Sequence, residues 1–476
     1  MYKKEIQAYF QTRQEDLIQD ACRLIRVKSV KGPALSGKPF GPGPAEALAE
    51  ALDIAAEMGF QTKNYDNYAG AVDFNDKEKQ LDILAHLDVV PAGEDWTKTT
   101  PYQPVVIDGR LYGRGASDDK GPAVAALHAM KAIKDLKIPL KKNVRLILGT
   151  DEESGCEDIR HYYQQEAEAP MTFTPDASFP VINVEKGGLQ GCFTGKLEEG
   201  AALPRVRKLD AGLRGNIIPD SASALLEGFP REEVLWLAKR TAEKTGASFQ
   251  VKDADAPGGT GKGNGFLTVT VTGRSSHSSL PTDGINALTA LLELISRLPA
   301  ADSMGFRTLC AIQSLFPHGD WKGVAAHVAM SDPISGDLTL CCNVLHYEPD
   351  CLTGSFDCRS PVCATKELVQ DVLLRQLEAI GLSVSGAFQY PAHHIPEDAP
   401  FVRTLMKCYR EYTGRDNKPM AIGGGSYVHG FKNGVAFGCS FPGTDNRMHG
   451  ADEFAVVEEL VVSAMIFAQV IVDLCG

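Results

Sequence analysis

Seven residues have types and spacings that suit water activation between two metal ions. His86 and Asp88 stand as His-x-Asp in the apolar run LDILAHLDVV, Asp118 opens the segment Asp118-Asp119-Lys120-Gly121-Pro122, and Glu152 and Glu153 follow the apolar run VRLILGT. Asp176 lies in TPDASFPV and His449 late in the chain in NRMHGADEFA. Each alone has a commonplace structural explanation. A histidine after a strand is usually structural, paired acids after a strand usually serve a turn or a helix N-terminus, and an aspartate after proline is often a turn residue. Together they form a coherent donor set. Two imidazoles and three carboxylates suit Zn²⁺, with Mn²⁺ or Co²⁺ as alternatives. Asp118 can bridge two ions, each keeping one imidazole and one further carboxylate, with a water completing both spheres. Two cations about 3.5–4 Å apart acidify such a water and stabilise the oxygens around a reacting carbon. His86 and Asp88 are two apart in an extended segment and so share a face, where Asp88 can accept the second ring N–H and fix the tautomer. Glu152 is then left as the general base.

These residues need elements to position them. Pro44–Met58 reads as a helix ended by Gly59. Leu81–Val90 and Val144–Thr150 read as strands buried on both faces of a largely parallel sheet. The segment AVAALHAMKAIKDL reads as a helix with Pro122 in its first turn. Ligands at the ends of separate strands converge at the carboxyl edge of such a sheet. From about Gly187 to about Gly386 the pattern changes to alternating strands with helical stretches near Arg231–Thr245 and Gly284–Leu298. Gly258–Gly263 lacks the spacing of a phosphate-binding loop and reads as a hairpin tip. Afterwards Pro400–Tyr412 reads as a helix, Gly434–Phe441 as a strand, and a C-terminal helix is expected from Glu453. The expected class is therefore α/β: a mostly parallel-sheet domain with helices on both faces, formed by residues 1–186 and 387–476, interrupted by an α+β insertion at 187–386.

Composition narrows the partners. A chain of 476 residues is long for one core, so two domains are expected. The formal net charge of −13 argues against a nucleic-acid partner and is otherwise a matter of solubility. The twelve cysteines are scattered without a CxxC pair, which suits reduced thiols in a cytosolic protein. The N-terminal stretch MYKKEIQAYFQTRQEDLIQDACRLIRV lacks an apolar core of the kind secretion signals carry. No run approaches the ~20 apolar residues of a membrane span. A cytoplasmic location without a membrane partner is the expectation.

The segments HLDVVP, GRGASDDKGP, TDEESG, PDASFP, GRSSHSSLPTDGINA, DCRSP, GGGSYV and RMHGADE occur in this order. The set resembles the co-catalytic zinc peptidase family of aminoacylases, acetylornithine deacetylases, succinyl-diaminopimelate desuccinylases and carnosinases. The resemblance covers nearly the whole chain and looks closest to the bacterial PepV-type dipeptidases. It implies two divalent metal ions, most simply zinc, held by His86, Asp118, Glu153, Asp176 and His449, with Asp118 bridging. It implies Glu152 as the base, Asp88 as the residue orienting His86, and a cis bond between Asp118 and Asp119. The insertion becomes a lid, from which His277 stabilises the oxyanion and Asn216 contacts the substrate. Arg359 grips the substrate's C-terminal carboxylate through two parallel hydrogen bonds. Gly423, Gly424, Gly425 and Ser426 line the pocket. The expected activity is hydrolysis of small peptides, as a broad-specificity or Xaa-His dipeptidase. A same-fold N-acyl amino acid deacylase or tripeptidase is the alternative, and a non-catalytic metal-dependent binding protein a further one. Ser426 and His429 depart from the relatives' usual threonine and arginine. The enlarged insertion implies a monomer that supplies its own His277.

Overall fold

A computed structural model describes residues 2–198, 200, 202–255 and 265–476. The glycine-rich segment Gly258–Gly263, expected as a hairpin tip, lies outside the described residues. Two compact units are present: Met1–Val184 with His394–Ala421 and Gly425–Gly476, and Glu185–His393 with Ile422–Gly424.

The first unit is built on a sheet whose path runs through Gln61–Tyr65, Ala69–Asp73, Asn143–Gly149, Lys79–His86, Met171–Thr174, Gly434–Ala436 and Ile182–Glu185. The four strands from Asn143–Gly149 to Gly434–Ala436 are parallel, whereas the strands beyond them pair antiparallel. Leu81, Ile83, Leu84 and Ala85 are all buried, as expected of a central strand covered on both faces. The helices Lys3–Arg26, Pro42–Glu57, Lys120–Asp135, Pro400–Thr413 and Val457–Cys475 share its core, in which Phe173, Phe179, Phe437 and Phe467 pack ring against ring. The parallel register carries a functional consequence. Ile83 lies opposite Phe173 and His86 opposite Gly149, so three residues further along, Asp176 is level with His86 and Glu152 follows from the neighbouring strand.

Three of the differences from the expected boundaries have a clear physical cause. The strand ends at His86 rather than Val90, because Val89 N–H turns away to Ser29 O at 3.2 Å. The expected strand Gly434–Phe441 is two pieces, Gly434–Ala436 and Cys439–Ser440, separated by a cis Gly438–Cys439 bond. The C-terminal helix starts at Val457, not Glu453, since Phe454–Val456 pairs with Arg110–Tyr112 and the buried Glu453 side chain is engaged with Arg114.

The second unit carries an eight-stranded sheet in the order Ser248–Ala254, Phe266–Thr272, Ser221–Glu227, Arg205–Ala211, Thr339–Glu348, Cys351–Ser360, Gly187–Lys196 and Ser383–Tyr390. Every pairing in it is antiparallel. Gly187–Lys196 alternates buried and exposed along most of its length, the pattern of a sheet with one covered face. Helices Arg231–Thr245 and Ala287–Ile295 match the two expected stretches, and Met304–Leu315 and Gln370–Ala379 are additional. Met304–Leu315 escapes pattern reading because Gly305 weakens its propensity, yet Ser303 caps it by accepting from Phe306 N–H at 3.1 Å. All twelve cysteines are free thiols. Among the described residues no helix is long and apolar enough to cross a membrane.

Candidate metal centre

At the carboxyl edge of the parallel strands, two ligand groups share one residue. His86, Asp118 and Asp176 form one, and Asp118, Glu153 and His449 the other. In the first, His86 Nε2 is 3.0 Å from Asp118 Oδ1 and 3.5 Å from Asp176 Oδ2. In the second, His449 Nε2 is 2.8 Å from Asp118 Oδ2 and 3.2 Å from Glu153 Oε1. Asp118 thus turns a different oxygen to each group, the geometry a bridging carboxylate requires. The Asp118–Asp119 bond is cis. A third acidic group, Glu348, Asp350 and Cys351, is wholly exposed and has no buried donor.

Asp88 meets His86 through both its carbonyl and its carboxylate. The nearer acceptor for His86 Nδ1 is the main-chain carbonyl of Asp88 at 3.0 Å, while the carboxylate stands at 3.5 Å. That carboxylate also accepts from the main-chain N–H groups of Glu152 and Glu153, at 3.2 Å each. One buried residue therefore holds both the first imidazole and the two acids that follow the neighbouring strand. The tautomer follows: Nδ1–H donates to the carbonyl, and Nε2 points toward Asp118 and Asp176.

The donor set is strongly acidic. Asp118 and Asp119 are buried, and Oδ1 of Asp119 has no partner among the described residues. Lys120 is also buried, but its Nζ donates to Val27 O at 2.7 Å, and burial brings its pKa down to about 7. Burial opposes charge on His86, yet the carboxylates of Asp118, Asp176 and Asp88 hold its pKa well above the ordinary value. The carboxylates of Asp118 and Glu153 raise His449 to about 10. Burial is the leading cause that pushes Glu152, Glu153, Asp119 and Asp176 upward. For Asp118 the two imidazoles overcome burial and hold it below the usual range. Buried carboxylates in such excess are costly unless paired with cations. Mixed imidazole and carboxylate donors in two three-residue groups fit two divalent ions, whose binding displaces these protons.

In the second unit, Ile217 pairs with His277 and Ser278 N–H donates to Asn216 O at 3.0 Å, so Asn216 and His277 are neighbours. Ser279 N–H donates to His277 Nδ1 at 3.2 Å, which leaves Nε2 as the protonated nitrogen of a neutral ring. Burial, then the charge of Arg359, lowers the His277 pKa and favours that neutral form. Arg359 is buried, with Nε and Nη2 on the two oxygens of Asp357 at 2.8 and 3.0 Å. Its Nη1 donates to Gly423 O at 3.0 Å and to Tyr390 Oη at 3.3 Å. One edge of the guanidinium is therefore committed to Asp357. A side chain at Gly423 would place its Cβ 2.3 Å from that of Ser279, so glycine is required there. Gly424 has open space around its missing Cβ. Tyr427, following Gly425 and Ser426, donates to Asp158, packs edge-on to His86 and lies in the first unit.

Residues 83–473 match peptidase family M20/M25/M40. The chain is 36% identical over 470 residues to the "Putative dipeptidase YtjP" of Bacillus subtilis (strain 168), covering 97% of this chain and 98% of that one. It is 31% identical over 476 residues to the Beta-Ala-Xaa dipeptidase of Lactobacillus delbrueckii subsp. lactis, covering 98% and 97%. The fold is shared with human carnosine dipeptidase 1, at a TM-score of 0.60 and 15% identity over 100% of this chain and 99% of that one. The chain belongs to peptidase family M20/M25/M40.

For this peptidase the structure adds residues that sequence reading passed over. Asp158 accepts from Thr150 N–H at 2.6 Å and Asp151 N–H at 2.8 Å, and from Tyr427 Oη, bracing the turn that leads to Glu152. Gly149 makes room for this, since a Cβ there would fall 2.0 Å from Tyr427 Oη. Asn343 donates to Gly215 O at 2.6 Å and Ser278 Oγ at 2.7 Å, tying the Asn216 turn to the His277 loop. The one available signal was residue type: Asp158 follows Glu152 by six positions, and nothing in the spacing marks it as buried.

Proposed function

We propose that this peptidase hydrolyses dipeptides with two divalent metal ions, zinc first among them, held by His86, Asp118 and Asp176 on one side and by Asp118, Glu153 and His449 on the other. The observation that carries this reading is the division of the Asp118 oxygens between the two groups, with a different imidazole on each. Bound there, two such ions would supply Lewis acidity that polarises a peptide carbonyl and acidifies water. The chain's own residues do the rest. Glu152 takes the proton of the attacking water on its carboxylate and delivers it to the leaving amine, and burial, which raises its pKa, strengthens it as the acceptor of that proton. Asp88 fixes the main chain of Glu152 and Glu153 and, through its carbonyl, the His86 ring. The second unit, residues 187–386 in the sequence division, is the lid in this reading. His277, neutral and protonated on Nε2, donates to the developing oxyanion. Arg359 has Nε and one Nη2 N–H on Asp357 and Nη1 on Gly423 O and Tyr390 Oη, and in this reading its remaining Nη2 N–H and its charge hold the substrate's terminal carboxylate, with Asn216 and the Gly423–Ser426 segment beside the same end of the substrate. A monomer is the proposed state, the enlarged insertion supplying His277 from the same chain.

The reading is tested with purified chain reconstituted with zinc, manganese or cobalt and offered Ala-Ala, carnosine, a tripeptide, N-acetyl-alanine and a dipeptide amide. Dipeptides with both ends free are expected to be cleaved fastest. Arg359→Lys keeps the charge but loses the fork, and a lost hydrogen bond to a charged group costs about 1.5–3 kcal/mol. The variant should therefore lose about 10- to 100-fold in kcat/KM on the free dipeptide and little on the amide. Preference for N-acetyl-alanine, or equal losses on both dipeptides, would overturn the corresponding assignment.

A further inference from the structure

His449 is the least protected member of the proposed ligand set. Its side chain is 53% exposed, its backbone is left-handed at φ 61°, and it sits on a loop rather than at a strand end. A loop ligand keeps a metal geometry only if the loop is anchored. The anchor is four residues on. Glu453 is fully buried, and its Oε1 accepts three main-chain N–H groups, from Ser117 at 3.0 Å, Gly115 at 3.1 Å and Asp118 at 3.3 Å. Its Oε2 pairs with the buried Arg114, whose Nη2 also donates to Gly450 O at 3.2 Å and Ala92 O at 3.4 Å. Gly113 N–H donates to Glu453 O at 3.0 Å. At the base of the loop, Asn446 and Phe454 exchange hydrogen bonds of 2.8 and 3.1 Å. The carboxylate that ends the His449 loop thus also holds the amide of Asp118. Neither His86 nor Asp176 shares any of these bonds, since both are placed by the parallel strands.

We infer that Arg114 and Glu453 are positioning residues that set the distance between His449 and Asp118, and so govern occupancy of the second metal position more strongly than that of the first, which shares only Asp118 with it. This rests on the two-metal reading above. A carboxylate satisfies three converging amides and a guanidinium at once. A neutral glutamine can still accept from the amides but leaves Arg114 buried without its counter-charge.

The experiment is a zinc titration of the metal-free chain against a chromophoric chelator, for wild type, Glu453→Gln, Glu453→Asp and the double variant Glu453→Gln/Arg114→Met. Far-ultraviolet circular dichroism of the metal-free proteins checks folding. Wild type should bind two equivalents. In Glu453→Gln the second equivalent should weaken about 10- to 100-fold, the range for residues that orient metal ligands, and the first, which shares only Asp118, distinctly less. The double variant, which also removes the Arg114 bond to Gly450 O, should show a loss of the second equivalent at least as large. If Glu453→Gln does not fold, Glu453→Asp decides: its shortened carboxylate keeps the charge but withdraws from the amides, and the same larger loss of the second equivalent is expected. Equal weakening of both equivalents, no weakening, or recovery of the second equivalent in the double variant would overturn the inference. A wild-type chain that binds fewer than two equivalents would overturn the two-metal reading instead.

Discussion

Asp118 shows how much chemistry one side chain can organise. Its two oxygens face two imidazoles, and its own amide is held by Glu453. Glu152 belongs to the same neighbourhood without belonging to either ligand group. That separation yields a prediction at the residue scale. Glu152→Gln should retain both metal equivalents by elemental analysis while kcat falls by about 10²- to 10⁴-fold, the usual worth of a positioned general base. Activity within a few-fold of wild type would remove Glu152 from its role. Loss of metal together with activity would make it a ligand instead.

At the scale of elements, the parallel strands place the first metal group and a cluster at their other end secures them. Glu166 accepts from Tyr65 Oη and Lys79 Nζ at 2.6 Å each, and from Arg145 at 3.4 Å, so it ties the edge strand Gln61–Tyr65 to the two central ones. Burial opposes its charge, but Lys79, Tyr65 and Arg145 prevail and hold its pKa near about 2 against an ordinary 4.5. The sign follows from a depressed folded pKa. The stabilisation is complete above pH 4.5 and disappears as pH falls toward about 2. Glu166→Gln should therefore flatten the acid limb of the unfolding midpoint against pH in that window. Parallel curves for variant and wild type would show that the cluster contributes nothing to acid stability.

The whole molecule brings together ligands that are far apart in the chain. His86 and Asp176 precede the second unit and His449 follows it, so the centre cannot form until both parts of the first unit have come together. Metal that binds only this folded state stabilises it by mass action, by about 2.7 kcal/mol per site at a free concentration 100 times Kd. Chelation should accordingly lower the calorimetric midpoint, and zinc should restore it in a concentration-dependent way. A midpoint indifferent to chelator and to added zinc would mean that the acidic groups are structural.

Much of this was legible in the sequence because it is local. Buried apolar runs mark the central strands, glycine and proline punctuate them, and three candidate ligands follow at their ends, so the gathering of His86, Glu153 and Asp176 is implied once the strands are parallel, whereas Asp118 comes from the loop before the helix Lys120–Asp135. The order of the short motifs carries the family. What tertiary structure alone decided are partnerships between residues far apart. Arg114 and Glu453 are 339 positions apart, and no local pattern shows that Glu453 leaves the expected helix to receive three amides. The same holds for the carbonyl of Asp88, rather than its carboxylate, lying nearest His86 Nδ1, and for Asp357 occupying one edge of Arg359. Periodicity reports which face of an element is buried. Which atom meets which across the fold is set by packing and by the need of every buried polar group for a partner, and that need is met only when the chain has closed on itself.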